Sequence, residues 1–306
     1  MIAAVVVVYY PDISLLGTVL QGVIGQVNQV FVVDNTPEPS IECASLLERH
    51  KDRLLCIQLR ENKGIAAAQN IAIGVSLGSG YSHILFLDQD SVLPDGLVEK
   101  LLKAERDLVG SGANVAAVGP LFIDAKTGNT SYAIRYGWFH AKKIYTSPRE
   151  RRPVEADWLI SSGSLIRTSV LKEVGLMRDE LFIDWVDAEW GLRARNKGFK
   201  SFIVPDVVME HSIGDASEKF LDYTFTLHSI SRNYYIVRNS TYLLSPKRMG
   251  WKWMTAMALR IPKHIAVHSW YSPNRWRSFS VMVLAALDGF RGRLGPITDI
   301  GKPDLT

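Results

Sequence analysis

The chain predicts an α/β fold: a mostly parallel sheet flanked by helices, with a helical extension at its C-terminal end. Two observations carry this. Four short apolar runs (residues 2–9, 30–33, 54–59 and 84–87) have the pattern of strands buried on both faces of a parallel sheet. The segments between them read as helices, as the apolar spacing of Leu15, Leu16, Val19, Leu20 and Val23 shows. A third observation points to a site. Asp34 ends the second run, and Asp88 and Asp90 follow the fourth. In open α/β sheets, ligands bind just beyond the carboxyl ends of the strands.

The elements follow in order. Ile2 to Tyr9 is uncharged and β-branched, and Pro11 ends it. A helix is expected over 13–24, a second strand over 30–33, a helix over 41–50 and a third strand over 54–59. Glu61 to Asn70 then places Gly64 after a strand and small residues at a helix start, a helix that runs to about Gly78. Small side chains allow close backbone approach, and a helix N-terminus favours anions. G-x-G-x-x-G is absent, which disfavours NAD. The strand 84–87 delivers Asp88-Gln89-Asp90-Ser91. Two oxygen-rich side chains there can hold a hard cation that in turn holds a diphosphate. A turn leading to Pro94-Asp95-Gly96 would use the same residues.

Further on, 97–108 reads as helix and 116–123 as strand. Residues 132–154 are aromatic, basic and less regular, and are expected to form a mobile loop on the acceptor side. Gly163, between serines, either admits a ligand or marks a bulged strand. A helix starts at Val170 and ends at Gly175. Asp184 and Asp187 are three apart at a helix start, so they share one face; acids are also common in first turns without any chemistry. Residues 201–205 form a strand, and His211 follows the next apolar run. Residues 220–244 read as one long helix, and 251–261 and 276–290 as two more.

Composition limits the classes. At 306 residues, 47% hydrophobic and 22% charged, the chain is globular rather than disordered. Two cysteines fit neither a disulfide framework nor a zinc site, and a reducing, cytoplasmic setting is expected. No signal peptide and no apolar run long enough to span a membrane are visible. Net charge is only +4, and nucleic acid is not an expected partner. Residues 246–306 hold ten Lys or Arg against three Asp, together with four tryptophans. Such a basic, aromatic segment suits the interfacial plane of an anionic membrane, here the inner face of the cell membrane, or a lid over the catalytic part.

Taken together, the ordered motifs resemble glycosyltransferase family 2, the inverting enzymes of GT-A (Rossmann-like nucleotide-binding) fold. They are Val32-Val33-Asp34-Asn35, Asn62-x-Gly64, Leu87-Asp88-Gln89-Asp90-Ser91, Ser162-Gly163, Phe182-Ile183-Asp184-x-x-Asp187-x-Glu189, Glu210-His211 and Tyr234-Tyr235-x-x-Arg238-Asn239. Gln89 between the two acids makes the chain most similar to the bacterial rhamnosyltransferases. The resemblance implies a catalytic domain over 1–244 and an extension over 245–306. It implies a nucleotide-sugar site of Tyr9, Asp34, Asn62, Gly64, Asp88, Gln89, Asp90 and Arg238. Asp88, Asp90 and His211 would hold Mg²⁺ or Mn²⁺. Trp158, Ser162, Gly163 and Trp185 would meet the acceptor, a lipid-linked glycan or glycolipid. Asp187 would be the general base, with Asp184 the alternative, because Val186 stands where the family has Glu. The donor implied is dTDP-L-rhamnose. A UDP- or GDP-sugar transferase, a nucleotidyltransferase and a non-catalytic sugar-binding module are the rivals; the last would need neither the Asp187-type acid nor the metal pair.

Overall fold

The four apolar runs become the parallel half of an eight-stranded sheet. A computed structural model describes residues 1–124, 128–211, 217–220, 223–226 and 228–297. The first half alternates strands and helices: β1 (Ile2–Val8), α1 (Ile13–Ile24), β2 (Gln29–Asp34), α2 (Ile41–Glu48), β3 (Leu54–Gln58), α3 (Ile65–Gly78), β4 (His83–Asp88), α4 (Leu97–Gly110) and β5 (Val115–Asp124). Next come β6 (Tyr132–Tyr136), β7 (Ala141–Tyr145), β8 (Val154–Ala156), β9 (Leu165–Arg167), α5 (Thr168–Val174) and α6 (Val186–Asn196). The last part holds β10 (Lys200–His211), β11 (Ser217–Phe220), β12 (Tyr223–Thr226), α7 (Ile230–Tyr242), α8 (Pro246–Met249), α9 (Trp251–Tyr271) and α10 (Arg275–Arg291).

The large sheet has the order β3-β2-β1-β4-β9-β5-β10-β8. β9 is antiparallel to both β4 and β5, and β8 is antiparallel to β10. The other strands are parallel, so their carboxyl ends share one edge. Strand alternation explains the two-sided core. In β1 and β4, Ala3, Val5, Ile84 and Phe86 pack into one cluster with α3, α5 and α6. Ala4, Val6, Leu85 and Leu87 pack into the other with α1, α2 and α4. Local signals start two of these helices: Asp12 accepts from Leu15 N at 2.9 Å and Ser40 from Cys43 N at 3.0 Å.

Three expectations from the sequence need correction. Residues 132–154 are not an irregular loop: β6 and β7 pair as an antiparallel hairpin, with Tyr132 and Tyr145 rings 5.4 Å apart. The helix expected from 220 begins only at Ile230, because Ser229 caps it by accepting from Arg232 N, and β11 and β12 form a hairpin before it. Residues 221, 222 and 227 of that expectation lie outside the described residues. The helix expected to stop at Ile261 runs through Pro262 to Tyr271. Proline removes one helical hydrogen bond, but packing holds the second half in place: Ile265 packs with Tyr235 and Val281 on α7 and α10.

The C-terminal helices are docked on the rest of the chain. Trp253 is buried in the main core cluster, its ring set edge-on to those of Tyr136 and Trp185. Tyr234 Oη donates to Asp288 Oδ2 at 2.8 Å, tying α7 to α10. Their outer surface is different. Trp251, Leu259, Trp270, Trp276, Leu287 and Phe290 are all exposed there.

Candidate active site

Register places the strand-end residues side by side. Val8 pairs with Asp34, Val7 with Asp88, and Asp34 with Gln58. Asp34 is only 1% exposed. Its Oδ1 accepts from Thr36 N at 2.9 Å, and its Oδ2 is buried with no hydrogen-bond partner. A buried carboxylate oxygen left unpaired is costly. A ligand N–H or O–H at this edge would satisfy it. Beside it, Asn35 Nδ2 donates to Asn62 Oδ1 at 3.2 Å, and Asn35 Oδ1 accepts from Lys63 N at 2.9 Å. Asn62 Oδ1 also accepts from Gly64 N at 3.0 Å. These bonds tie the β2 end to the turn before α3.

Gln89 is a brace as well as a neighbour of the two acids: its Oε1 accepts from Tyr9 N at 2.8 Å, joining the ends of β1 and β4. The Tyr9 ring stays 45% exposed at this edge. Ser162 is fully buried, contrary to an acceptor contact. Its Oγ accepts from Asp88 N at 3.2 Å and donates to Ser91 Oγ at 2.5 Å, so it positions the Asp88 loop. Gly163 also turns out to serve packing: it has φ +71°, and a Cβ there would lie 2.8 Å from Pro120 Cγ. At Gly64 (φ +83°) a Cβ would lie 2.5 Å from Phe182 O, so its close approach is to the protein's own loop.

That loop, 182–185, carries unusual backbone. Phe182, Asp184 and Trp185 all have φ between +61° and +65°. Such conformations cost free energy for residues with a Cβ and cluster at functional sites. Here α7 holds them. Asn239 Nδ2 donates to the carbonyls of Leu181 at 2.9 Å, Ile183 at 2.8 Å and Asp184 at 3.1 Å. Trp185 Nε1 donates to Ile236 O at 3.0 Å. Arg238, expected at the nucleotide sugar, is 1% exposed and turned into this clamp. It donates to Leu181 O at 3.0 Å, to Gly295 O and to Asn239 Oδ1, and stacks on the Tyr235 ring. Three of its five N–H donors are engaged within the protein, and the buried side chain braces the loop.

The clamp delivers Asp187 to the first turn of α6. Its Oδ1 accepts from Ala188 N at 2.8 Å and its Oδ2 from Ser161 N at 3.3 Å. Burial pushes its pKa up to about 6, the two backbone bonds pull the other way, and the charges of Asp88 and Asp184 add to the rise. The strand-end edge, through Asp88, and this loop, through Asp184, therefore both act on Asp187. Asp184, by contrast, is paired with Arg232 at 3.4 Å. Glu189 is fully buried and accepts from Arg178 and Arg193, anchoring the preceding loop to α6.

Beyond Asp187 opens a cavity of about 550 Å³, lined by Asp184, Trp158, Trp185, Lys143 and Arg260 among others. Asp157, next to Trp158, accepts from Tyr136 N at 2.7 Å and pairs with Arg195, which fixes this wall. Sequence reading missed Lys143, Arg260, His264 and Asn239. Only the Asn239 motif carried a signal, since the others depend on the hairpin and on a helix continuing past Pro262.

Asp88 and Asp90 sit half-buried just where β4 ends. His211 ends β10 on the same edge, but its side chain lies outside the described residues. Among the described residues, no three acidic, His or Cys side chains form a metal-holding group. Mg²⁺ at nucleotide sites commonly takes one or two carboxylates and completes its shell with phosphate and water. Two carboxylates at the strand end, with Asp88 close enough to Asp187 to repel its charge, fit that donor set.

The Glycosyl transferase family 2 model matches residues 4–175. Over 298 residues the chain is 33% identical to the dTDP-rhamnosyl transferase RfbF of Shigella flexneri, covering 96% of this chain and 97% of that protein. The chain belongs to glycosyltransferase family 2. Among solved structures, S. aureus TarS 1-349 in complex with UDP-GlcNAc aligns with a TM-score of 0.60 at 12% identity, over 95% of this chain and 82% of that one. GalNAc-T7 with UDP, GalNAc and Mn²⁺ aligns with a TM-score of 0.57 at 14% identity, over 94% of this chain and 57% of that one. At such identities these two likenesses show the GT-A fold.

Proposed function

We propose that this glycosyltransferase is an inverting rhamnosyltransferase. It moves L-rhamnose from dTDP-L-rhamnose to a hydroxyl of a lipid-linked glycan or glycolipid. The observation that carries the reaction class is Asp187, a half-buried carboxylate placed where the donor edge meets a cavity. The donor assignment is supported by 33% identity, over nearly the full length of both chains, with a dTDP-rhamnosyl transferase.

Tyr9, Asp34 and the Asn62–Gly64 turn hold the nucleoside, and the buried Oδ2 of Asp34 accepts from it. Asp88 and Asp90 would hold Mg²⁺ or Mn²⁺, which when bound supplies positive charge to the departing diphosphate. Asp187 takes the proton from the acceptor hydroxyl as that oxygen attacks the anomeric carbon. Its raised pKa, about 6, makes it a stronger base than an exposed Asp while leaving it ionised above that pH. One displacement inverts the anomeric centre. Trp158 and Trp185 give the acceptor sugar an apolar wall.

The test is a donor panel. Release of the nucleoside diphosphate, and calorimetric binding with metal present, should favour dTDP-rhamnose and dTDP over UDP- and GDP-sugars and their diphosphates. A preference for UDP or GDP would refute the donor and leave the fold intact. The enzyme works at the inner face of the cell membrane, through the basic, aromatic surface of α9 and α10. No helix among the described residues is long and apolar enough to cross a membrane. Full-length chain should float with anionic liposomes, and a failure to float would remove the membrane part.

A further inference from the structure

The tip of the β6–β7 hairpin holds two large apolar side chains in water, next to each other. Trp138 is 58% exposed and Phe139 68%. A loose loop is not the reason. Gly137 N donates to His140 O at 2.9 Å and closes the turn. Tyr136, just before it, is buried, with its ring edge-on to that of Trp253 on α9. Thr255 Oγ1, one turn further along α9, lies 3.2 Å from Trp138 O and 3.1 Å from Trp251 O. The backbone of the tip is thus fixed beside the start of α9, where Trp251 is exposed as well. Single exposed apolar residues are ordinary, but three aromatic rings gathered at one place call for a partner. Neither Trp138 nor Phe139 lines the cavity beyond Asp187.

Charge says which partner. Lys142 follows the tip, Lys247 and Lys252 flank the start of α9, and all three are exposed. No Asp or Glu occurs between Asn129 and Arg149, or between Tyr223 and Leu287. A second copy of the chain fits this surface poorly. A twofold contact through the tip would set lysines against lysines, with no acid in either segment to meet them. Aromatic rings beside lysines suit the boundary of an anionic bilayer, where the rings sit at headgroup level and the ammonium groups meet phosphates. The far end of α9 repeats the arrangement. Trp270 is exposed there, the Arg275 guanidinium lies 4.6 Å from its ring centre, and Trp276 is exposed at the start of α10.

We infer that the hairpin tip, Gly137 to His140, is a membrane wedge. Trp138 and Phe139 enter the headgroup layer of an anionic bilayer, Trp251 enters beside them, and Lys142 and Lys252 meet the lipid phosphates. The inference rests on the membrane reading above and extends it from the C-terminal helices to an element of the catalytic part. It also sets an orientation. With aromatic anchors at both of its ends, a span of about 30 Å for its 21 residues, α9 lies along the bilayer and not across it.

The test uses the full-length chain and two kinds of vesicle, phosphatidylcholine alone and phosphatidylcholine mixed with phosphatidylglycerol. The wild type should float with the mixed vesicles and far less with the neutral ones. In the double variant Trp138→Ala, Phe139→Ala, affinity for the mixed vesicles should fall by roughly tenfold or more, because two aromatic groups no longer leave water. Both side chains are exposed, so melting temperature and dTDP affinity should equal those of the wild type. Trp138→Phe keeps an apolar ring. It should float like the wild type and lose a share of the tryptophan quenching caused by brominated lipid. Unchanged flotation of the double variant, or unchanged quenching in Trp138→Phe, would overturn the wedge and leave membrane contact to α9 and α10. If the double variant also melts lower, the quenching in Trp138→Phe decides alone. Equal flotation of the wild type with both kinds of vesicle would overturn the choice of anionic lipid. A wild-type dimer that becomes a monomer in the double variant, with flotation intact, would overturn the inference in favour of a second copy. A wild-type chain that floats with neither vesicle would refute the membrane reading itself, and the wedge with it.

Discussion

The two sides of the site are built in opposite ways. The donor side is a row of strand ends, brought together by parallel register, with two local bonds, Asp34 to Thr36 and Asn62 to Gly64, and the Gln89 brace to Tyr9 between the ends of two neighbouring strands. The acceptor side is a loop of residues in left-handed backbone, held by Asn239 and Trp185 across intervals of some fifty residues. The difference teaches where this enzyme places its rigidity and its strain. The proposed nucleotide surface is one that parallel register forms by itself. The proposed base follows a loop whose carbonyls α7 holds.

Substitutions on the two sides should accordingly fail differently. The largest effect is expected on the donor side. Asp90→Asn should lose activity by roughly a thousandfold or more, the scale of a lost metal contribution of several kcal/mol. EDTA should do the same to the wild type, and added Mg²⁺ or Mn²⁺ should rescue only the wild type. Thermal unfolding should hardly change, because Asp90 is half-exposed at a strand end. Full activity of Asp90→Asn in chelator would break the donor half of the comparison.

A smaller effect on rate, with a larger one on stability, is expected on the other side. Asn239→Ala strips the donor that serves three carbonyls. Urea unfolding should show a loss of about 2–4 kcal/mol, from buried acceptors left unsatisfied. The fall should appear in kcat and not in dTDP affinity. A variant that unfolds like the wild type and turns over normally would show that the loop holds its shape without the clamp.

The same contrast explains what could be read from the sequence. Apolar runs ending in Asp34 and Asp88 identify buried strands and their carboxyl ends because both signals are local. The turn at 62–64 is legible for the same reason. The burial of Arg238 was not legible, because its position on a helix says nothing of the carbonyls it meets, those of Leu181 and Gly295. Ser162 sits in a motif yet is sealed under Ser91. Lys143 and Arg260 reach one cavity only after a hairpin folds and a helix continues past Pro262, and no local pattern reports either event. The pattern of Tyr132, Ile134 and Tyr136 does carry a period of two, which the surrounding basic residues mask.

The central claim is that Asp187 is a base held at a cost by the protein, apart from the groups that bind the donor. Its pKa is raised in the folded chain, from 3.8 to about 6. The folded state therefore binds this proton more tightly than the unfolded state, and ionised Asp187 opposes folding above about pH 6. Asp187→Asn should consequently melt above the wild type at pH 8. The gap should narrow as pH falls through about 6 and close near the unfolded value of about 4. In the same protein kcat should drop by roughly 10²–10⁴-fold and lose the limb that, in the wild type, rises through about pH 6, while dTDP affinity stays unchanged. The most direct measurement is the pair of kcat–pH profiles, wild type and Asp187→Asn, each with dTDP affinity measured alongside. A slow, flat profile with intact dTDP binding is the predicted result; wild-type turnover in Asp187→Asn, or a parallel loss of dTDP binding, would contradict it.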